Sequence, residues 1–219
     1  MQNMKKAMLL LALVLTSGFG FAQKGQQTVG LLMGVNRLTY FEFYDNEFRD
    51  GPFTESEFSP LAGVYYDYNI SNRLGINLAT RFLVSKTEYD CSECRFIDAP
   101  AFPLKSITKL SYLEIPVNLA LNLNKKETAS WKSYVLFGYT HSRLIQAKRT
   151  DLSTGKEEKL DISADFRTNH YLNAGYEVRH TIKDKYELAF NPYFQFDFLG
   201  APTRNFLGLQ VKIGKSWNR

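Results

Sequence analysis

The sequence predicts an all-β chain, an eight-stranded antiparallel up-and-down barrel that crosses a membrane with its strands. Three observations predict it: eight segments alternate apolar and polar side chains, the connections between them alternate short and long, and the chain opens with an export signal.

In the export signal, Lys5 and Lys6 precede an apolar run from Ala7 to Leu15, and a small, weakly polar stretch follows from Thr16 to Ala22. Gly20 and Ala22 suit the small-residue pockets of a peptidase cutting before Gln23. The chain divides accordingly into a signal peptide, 1–22, and a barrel domain, 23–219. The apolar run is shorter than the roughly 18–20 residues that span a bilayer as a helix, and every later hydrophobic stretch is interrupted by charged or amide residues. A helical membrane protein is excluded. Removing Lys5 and Lys6 lowers the basic count from 27 to 25 against 22 acidic side chains, so the formal charge falls from +5 to +3. That excess gives no argument for nucleic acid. The 13 Tyr, 17 Phe and 2 Trp favour strands and surfaces that meet both lipid and water.

A strand sends successive side chains to opposite faces, so a period of two marks each element. The first strand sets Val29, Leu31, Met33 and Val35 against Gly30, Gly34 and Asn36. The second sets Val64, Tyr66, Tyr68 and Ile70 against Tyr65, Asp67 and Asn69, and the third sets Leu74, Ile76, Leu78, Phe82 and Val84 against Asn77, Ala79 and Arg81. The fourth is the clearest: Leu113, Ile115, Val117, Leu119, Leu121 and Leu123 alternate with Tyr112, Glu114, Pro116, Asn118, Ala120 and Asn122. In the fifth, Trp131 to about Gln146, Leu136 and Leu144 break the pattern of Trp131, Val135, Phe137 and Tyr139. The sixth has Leu172, Ala174, Tyr176 and Val178 against Asn173, Glu177 and Arg179; the seventh runs from Tyr186 to Phe198 against Glu187, Asn191, Gln195 and Asp197. Leu207, Leu209, Val211 and Ile213 oppose Gln210 and Lys212 in the eighth. Pro116 and Pro192 lie mid-strand without an amide donor, so a bulge or a missing ladder bond is expected at each.

Short connections fall near 71–73, 125–130 and 182–185, and long ones near 38–59, 86–108 and 147–166. An even strand count with one short-turn side and one long-loop side is the outer-membrane arrangement. Tyr68, Trp131, Tyr186 and Trp217 all fall on the apolar face at the short-turn end, where an interface belt of aromatics belongs. Periodicity alone does not say which face is inside. A secreted soluble lipocalin-like barrel, binding a small apolar ligand, would point the apolar set inward and the charged set out.

The order of features resembles the outer-membrane β-barrel family that includes the PorT protein. The resemblance covers nearly the whole mature chain and rests chiefly on Tyr112-Leu113-Glu114-Ile115-Pro116-Val117, with weaker matches around Gly30 and Gly34 and at Leu207-Gly208-Leu209. One departure is the C-terminus: such barrels usually end on an aromatic residue, whereas Asn218 and Arg219 follow Trp217 here. The family is functionally heterogeneous, so the resemblance implies a fold and a location, and a component of a secretion apparatus as one possible role.

Cys91 and Cys94, in the third-to-fourth loop, read as a disulfide on the oxidising side of the membrane; without a second Cys pair or a His cluster, no metal and no cofactor is expected. Glu114 points into a narrow lumen, where a carboxylate is costly unless paired. Arg81, Arg179 and Lys212 share its face, as does Glu177, and these five are expected to form an internal charge network that plugs the barrel. His141 and Ser142 are the adjacent pair that invites a hydrolase reading, but neighbours on a strand point to opposite faces and do not share a proton, so no enzyme is expected. The loop 38–59 mixes Phe41, Phe43, Tyr44, Phe48, Phe53 and Phe58 with six acidic residues, which suits either a contact surface for a protein partner or a cover over the barrel mouth. The expectation is a monomeric outer-membrane protein, surrounded by outer-membrane lipid and acting through its loops.

Overall fold

Each long strand forms because its alternating pattern can bury one face and wet the other with lipid, and together they leave no free edge. The computed structural model describes residues 25–39, 53–55, 58–90, 105–124, 130–161, 168–183, 185–198 and 205–218. The segment 1–22 and both Cys91 and Cys94 lie outside the described residues. The strands are β1 (Gln26–Thr39), β2 (Phe53–Glu55), β3 (Ser59–Asn69), β4 (Leu74–Asp90), β5 (Lys105–Asn122), β6 (Trp131–Asp151), β7 (Glu157–Lys159), β8 (Thr168–Ile182), β9 (Tyr186–Asp197) and β10 (Asn205–Asn218). The eight long ones pair antiparallel with their sequence neighbours, and β1 pairs with β10 to close the barrel.

The orientation of the wall separates the two barrels that periodicity leaves open. Ile115 and Val117 are 38 % and 43 % exposed on the outside, while Glu114 beside Ile115 is 1 % exposed in the lumen. A soluble lipocalin-like barrel has the reverse arrangement, so that reading is wrong: the apolar face is the outer one. The outward run Leu113 to Leu123 is 11 residues long, which on strands tilted by about 40° matches an apolar band of ~25 Å.

Neither mid-strand proline makes a bulge. The β4–β5 pairs step from Leu78↔Val117 to Arg81↔Glu114 with the register unchanged, leaving a gap at the height of Pro116. The β8–β9 pairs likewise step from Gly175↔Tyr193 to Val178↔Phe190 around Pro192. Beside that second gap, the Asn191 side chain donates to the Tyr176 carbonyl at 3.2 Å, supplying a donor where proline has none. The register does shift on β6, where Ile145 is the extra residue between Tyr112↔Leu144 and Ser111↔Gln146. Leu136 and Leu144 therefore do not interrupt the strand; both are buried on its inner face.

The long-loop side is more ordered than its sequence suggests. β4 continues to Asp90, β5 begins at Lys105 and β6 runs to Asp151, so much of the expected loops 86–108 and 147–166 is strand. Phe53–Glu55, within the expected loop 38–59, pairs with Thr87–Tyr89 as β2, and β7 pairs with Lys148–Thr150. These segments show no apolar alternation because above the lipid the outer face is wet, while the inner face buries small residues such as Ser106 and Ala147. At the opposite end the turns are tight: the Ser71 hydroxyl accepts from the Leu74 amide at 3.1 Å, and Lys183 takes a φ of 50° between β8 and β9.

Candidate functional site

The lumen holds the densest chemistry in the molecule, brought there by inward positions on every long strand except β6 and β1, which contribute smaller polar groups. Arg179 on β8 is the hub of its lower half. Its guanidinium lies 3.0 Å from Asp67 of β3 and 3.7 Å from Glu187 of β9, and its Nε donates to Glu177. Lys212 of β10 reaches the other Glu177 oxygen at 2.6 Å. Two tyrosines wall this cluster: the Arg179 guanidinium sits 4.2 Å above the Tyr134 ring, and the Lys212 ammonium 5.0 Å from the Tyr65 ring. Both contacts let a cation keep electrostatic company without water.

Higher in the lumen, Arg81 Nε donates to Glu114 at 2.6 Å, with its guanidinium 4.8 Å above Tyr193. The five residues expected as one network therefore form two groups, Arg81 with Glu114 and Arg179 and Lys212 with Glu177. The register accounts for the division: Arg81 and Glu114 are direct cross-strand partners on β4 and β5, whereas Arg179 and Lys212 both stand opposite Ala189 of β9.

An amide chain extends from the lower cluster across the lumen. Asn77 donates to Asp67, Asn118 to Asn77 at 3.2 Å, and Asn173 to Asn118 at 2.9 Å. Thr140 and Gln195 extend it, with Gln195 donating to Thr140 at 3.1 Å. The cavity left between Asn77, Arg81, Asn118, Asn173 and Gln210 measures about 20 Å³, room for about one water molecule. Glycines make space for the rings: a Cβ at Gly208 would collide with Tyr193 and Asn36, and one at Gly214 with Tyr65.

Asp67, Glu187, the amide chain and the three tyrosines join the site without any motif to mark them. Their signal in the sequence is parity alone, since each shares the inward phase of its own strand. On the outer wall, Trp131, Tyr186 and Trp217 are exposed at the short-turn end, and Tyr68 is half-buried there. Tyr68 and Trp217 both stand opposite Gln27, and Trp131 stacks on His180 at 4.3 Å. His141 and Ser142 diverge: Ser142 is buried in the lumen, while His141 meets His170 outside, with ring centroids 5.4 Å apart. Most of loop 38–59 lies outside the described residues; Phe58, within them, is exposed.

A closed antiparallel barrel of eight strands with an apolar exterior and a charged, filled interior is the fold of the small outer-membrane β-barrels. No protein-family profile and no curated protein sequence matches the chain. Among solved structures it is similar to the outer membrane protein OprG from Pseudomonas aeruginosa, with a TM-score of 0.53 at 8 % identity over 91 % of this chain and 99 % of that one. It is also similar to Neisserial surface protein A, with a TM-score of 0.48 at 10 % identity over 91 % and 99 % of the two chains. The attachment invasion locus protein of Yersinia pestis, in complex with the heparin analogue sucrose octasulfate, gives 0.48 at 12 % identity over 89 % and 100 %. At these identities the likeness is one of fold.

Proposed function

We propose that the chain is a monomeric, non-conducting protein of the outer membrane, exported by a cleaved signal peptide, that acts as a structural or interaction module through its outer loops. The observation that carries this reading is the lumen: charged and amide side chains reach across it from opposite walls, and the cavity between Asn77, Arg81, Asn118, Asn173 and Gln210 holds about 20 Å³. Such an interior stiffens the cylinder and leaves its outer end as the place for recognition. A disulfide between Cys91 and Cys94 would staple the third-to-fourth loop, and the aromatics of loop 38–59 would offer the contact area. Membership of the PorT-containing family rests on the Tyr112–Val117 segment, and catalysis has no support from the divergent His141 and Ser142.

Purified mature chain reconstituted in planar bilayers is expected to give no conductance above the lipid background. Reproducible step-like openings would overturn the filled-lumen reading. Deleting 43–53 from the chain in intact cells is expected to abolish co-purification of a partner while leaving the barrel in the outer-membrane fraction.

A further inference from the structure

Four lysines stand in one cross-strand row on the outer wall. Lys86 of β4 is paired with Lys109 of β5, Lys109 with Lys148 of β6, and Lys148 with Lys159 of β7. Directly opposed residues share a sheet face with Cβ atoms about 5 Å apart, and like charges so placed repel. The face is the outer one, in phase with Val84, Leu113 and Ile145, the last apolar outward side chains of their strands before the row. Lys86 is the next outward residue after Val84, Lys148 the next after the Ile145–Gln146 bulge, and Lys109 follows Leu113 with only Ser111 between. Arg143, opposite Leu113, adds a fifth outward cation at the edge of the apolar wall.

Two acids of this face, Glu88 and Glu157, lie on the far side of the row, and the exposed Asp161 lies on its lipid side, level with Gln146. The next outward positions away from the lipid are Glu88, Ile107, Thr150 and Glu157, and Glu157 reaches Lys148 at 3.7 Å. Around the row the cations Lys86, Lys109, Lys148, Lys159 and Arg143 outnumber the acids Glu88, Glu157 and Asp161, and the row stands directly above hydrocarbon-facing residues. A lysine just above an apolar wall lays its alkyl stem on that wall and holds its ammonium at headgroup level. A solvated hairpin has no reason to stack four cations side by side, because each pairing costs stability until an anion bridges it.

We propose that the row Lys86, Lys109, Lys148 and Lys159, with Arg143 beneath it, binds the phosphate-bearing headgroups of anionic lipid in the outer leaflet. The proposal rests on the outer-membrane barrel reading and adds to it a fixed lipid site on the β4–β7 side of the wall. The ammonium groups would neutralise adjacent phosphates, and the lipid tails would lie along Val84, Leu113 and Ile145.

The test uses the full mature chain refolded into vesicles of phosphatidylcholine alone and of phosphatidylcholine mixed with phosphatidylglycerol. The variant carries Lys86→Gln, Lys109→Gln, Lys148→Gln and Lys159→Gln together. For the wild type, phosphatidylglycerol is expected to raise the unfolding temperature and to remain bound in native mass spectra, with both effects fading as salt is added. The variant is expected to be at least as stable as the wild type in phosphatidylcholine and to retain phosphatidylglycerol roughly fivefold more weakly for each lysine lost. Equal responses of wild type and variant overturn the proposal. So does binding of soluble dextran sulfate through the lysines without any response to phosphatidylglycerol, which would reassign the row to a soluble polyanion. A chain that stays protease-sensitive in every vesicle, phosphatidylcholine included, fails the barrel reading itself, a result separate from loss of the lysine effect in a chain that inserts.

Discussion

Strand β5 changes character along one face. From Leu113 to Leu121 its outward residues are Leu, Ile, Val, Leu and Leu; from Lys105 to Ser111 they are Lys105, Ile107, Lys109 and Ser111. The inward side changes with it, from Glu114 held by Arg81 to Thr108 and Leu110. The lower stretch faces hydrocarbon on one side and a closed, polar lumen on the other, so every side chain is constrained. The upper stretch has a wet outer face, while its inner face still holds buried Ser106 and packs Leu110 beside Ala147, so only the outer side chains are free of packing. Within the lipid the wall is over-determined, and above it the same strand is permissive on its outer face.

The largest break in that contrast is at the lumen hub. Arg179→Met removes the cation that touches Asp67, Glu177 and Glu187 and leaves three buried carboxylates with Lys212 alone. Stranding buried charge costs about 3–5 kcal/mol. Urea unfolding of the barrel in vesicles is expected to show a loss of that size; a loss no larger than that of a surface substitution would mean the cluster is hydrated.

A matched pair on β5 sharpens the comparison directly. Val117 and Ile107 share a strand and an outward face, ten residues apart. Val117→Lys puts a charge in the apolar band and is expected to destabilise by about 2–4 kcal/mol. Ile107→Lys, above the lipid, is expected to stay within about 0.5 kcal/mol of wild type. The same urea titration reads both, and equal effects would place the two residues in one environment.

The same contrast sets how much of the molecule is legible in its sequence. Alternation shows wherever one neighbour of the wall is hydrocarbon, which is why the residues from Leu113 to Leu123 and their inward partners announce themselves by pattern. It fails at Lys86–Asp90 and Lys105–Ser111, which are strand without an apolar phase and therefore resemble loop. In the lumen, parity places Glu114, Arg81, Glu177, Arg179 and Lys212 inside. Which cation meets which acid depends on the stagger between strands, and alternation is blind to a shift by two residues. Hence one expected network resolves into an upper pair and a lower cluster. Leu136 and Leu144 mislead for a related reason: a narrow lumen takes aliphatic side chains too, and the extra residue at Ile145 resets the phase beyond them.

The smallest effect belongs to the hairpin at the far end of the permissive region. Asp151 closes β6, and its carboxylate accepts from the Ser153 amide at 2.8 Å and from the Ser153 and Thr154 hydroxyls at 2.5 and 2.8 Å. Gly155, at a φ of +68°, completes the turn by donating to the Asp151 carbonyl at 2.8 Å. Hydrogen bonds from Ser153 and then Thr154 hold the Asp151 carboxyl below its ordinary 3.8, at about 2. A folded-state value that lies below the unfolded one means the ionised form favours the folded turn. The contribution is complete above the ordinary value and is lost as pH falls through about 2, with the loss beginning below 3.8. Carbon-detected NMR of the Asp151 carboxyl is expected to show it still ionised at about pH 3, between those two values. Asp151→Asn is expected to loosen the hairpin amides without moving the barrel's unfolding midpoint, because the turn is fully exposed and stands outside the lipid-constrained wall. A shift of the midpoint equal to that of Arg179→Met would erase the distinction between the two regions.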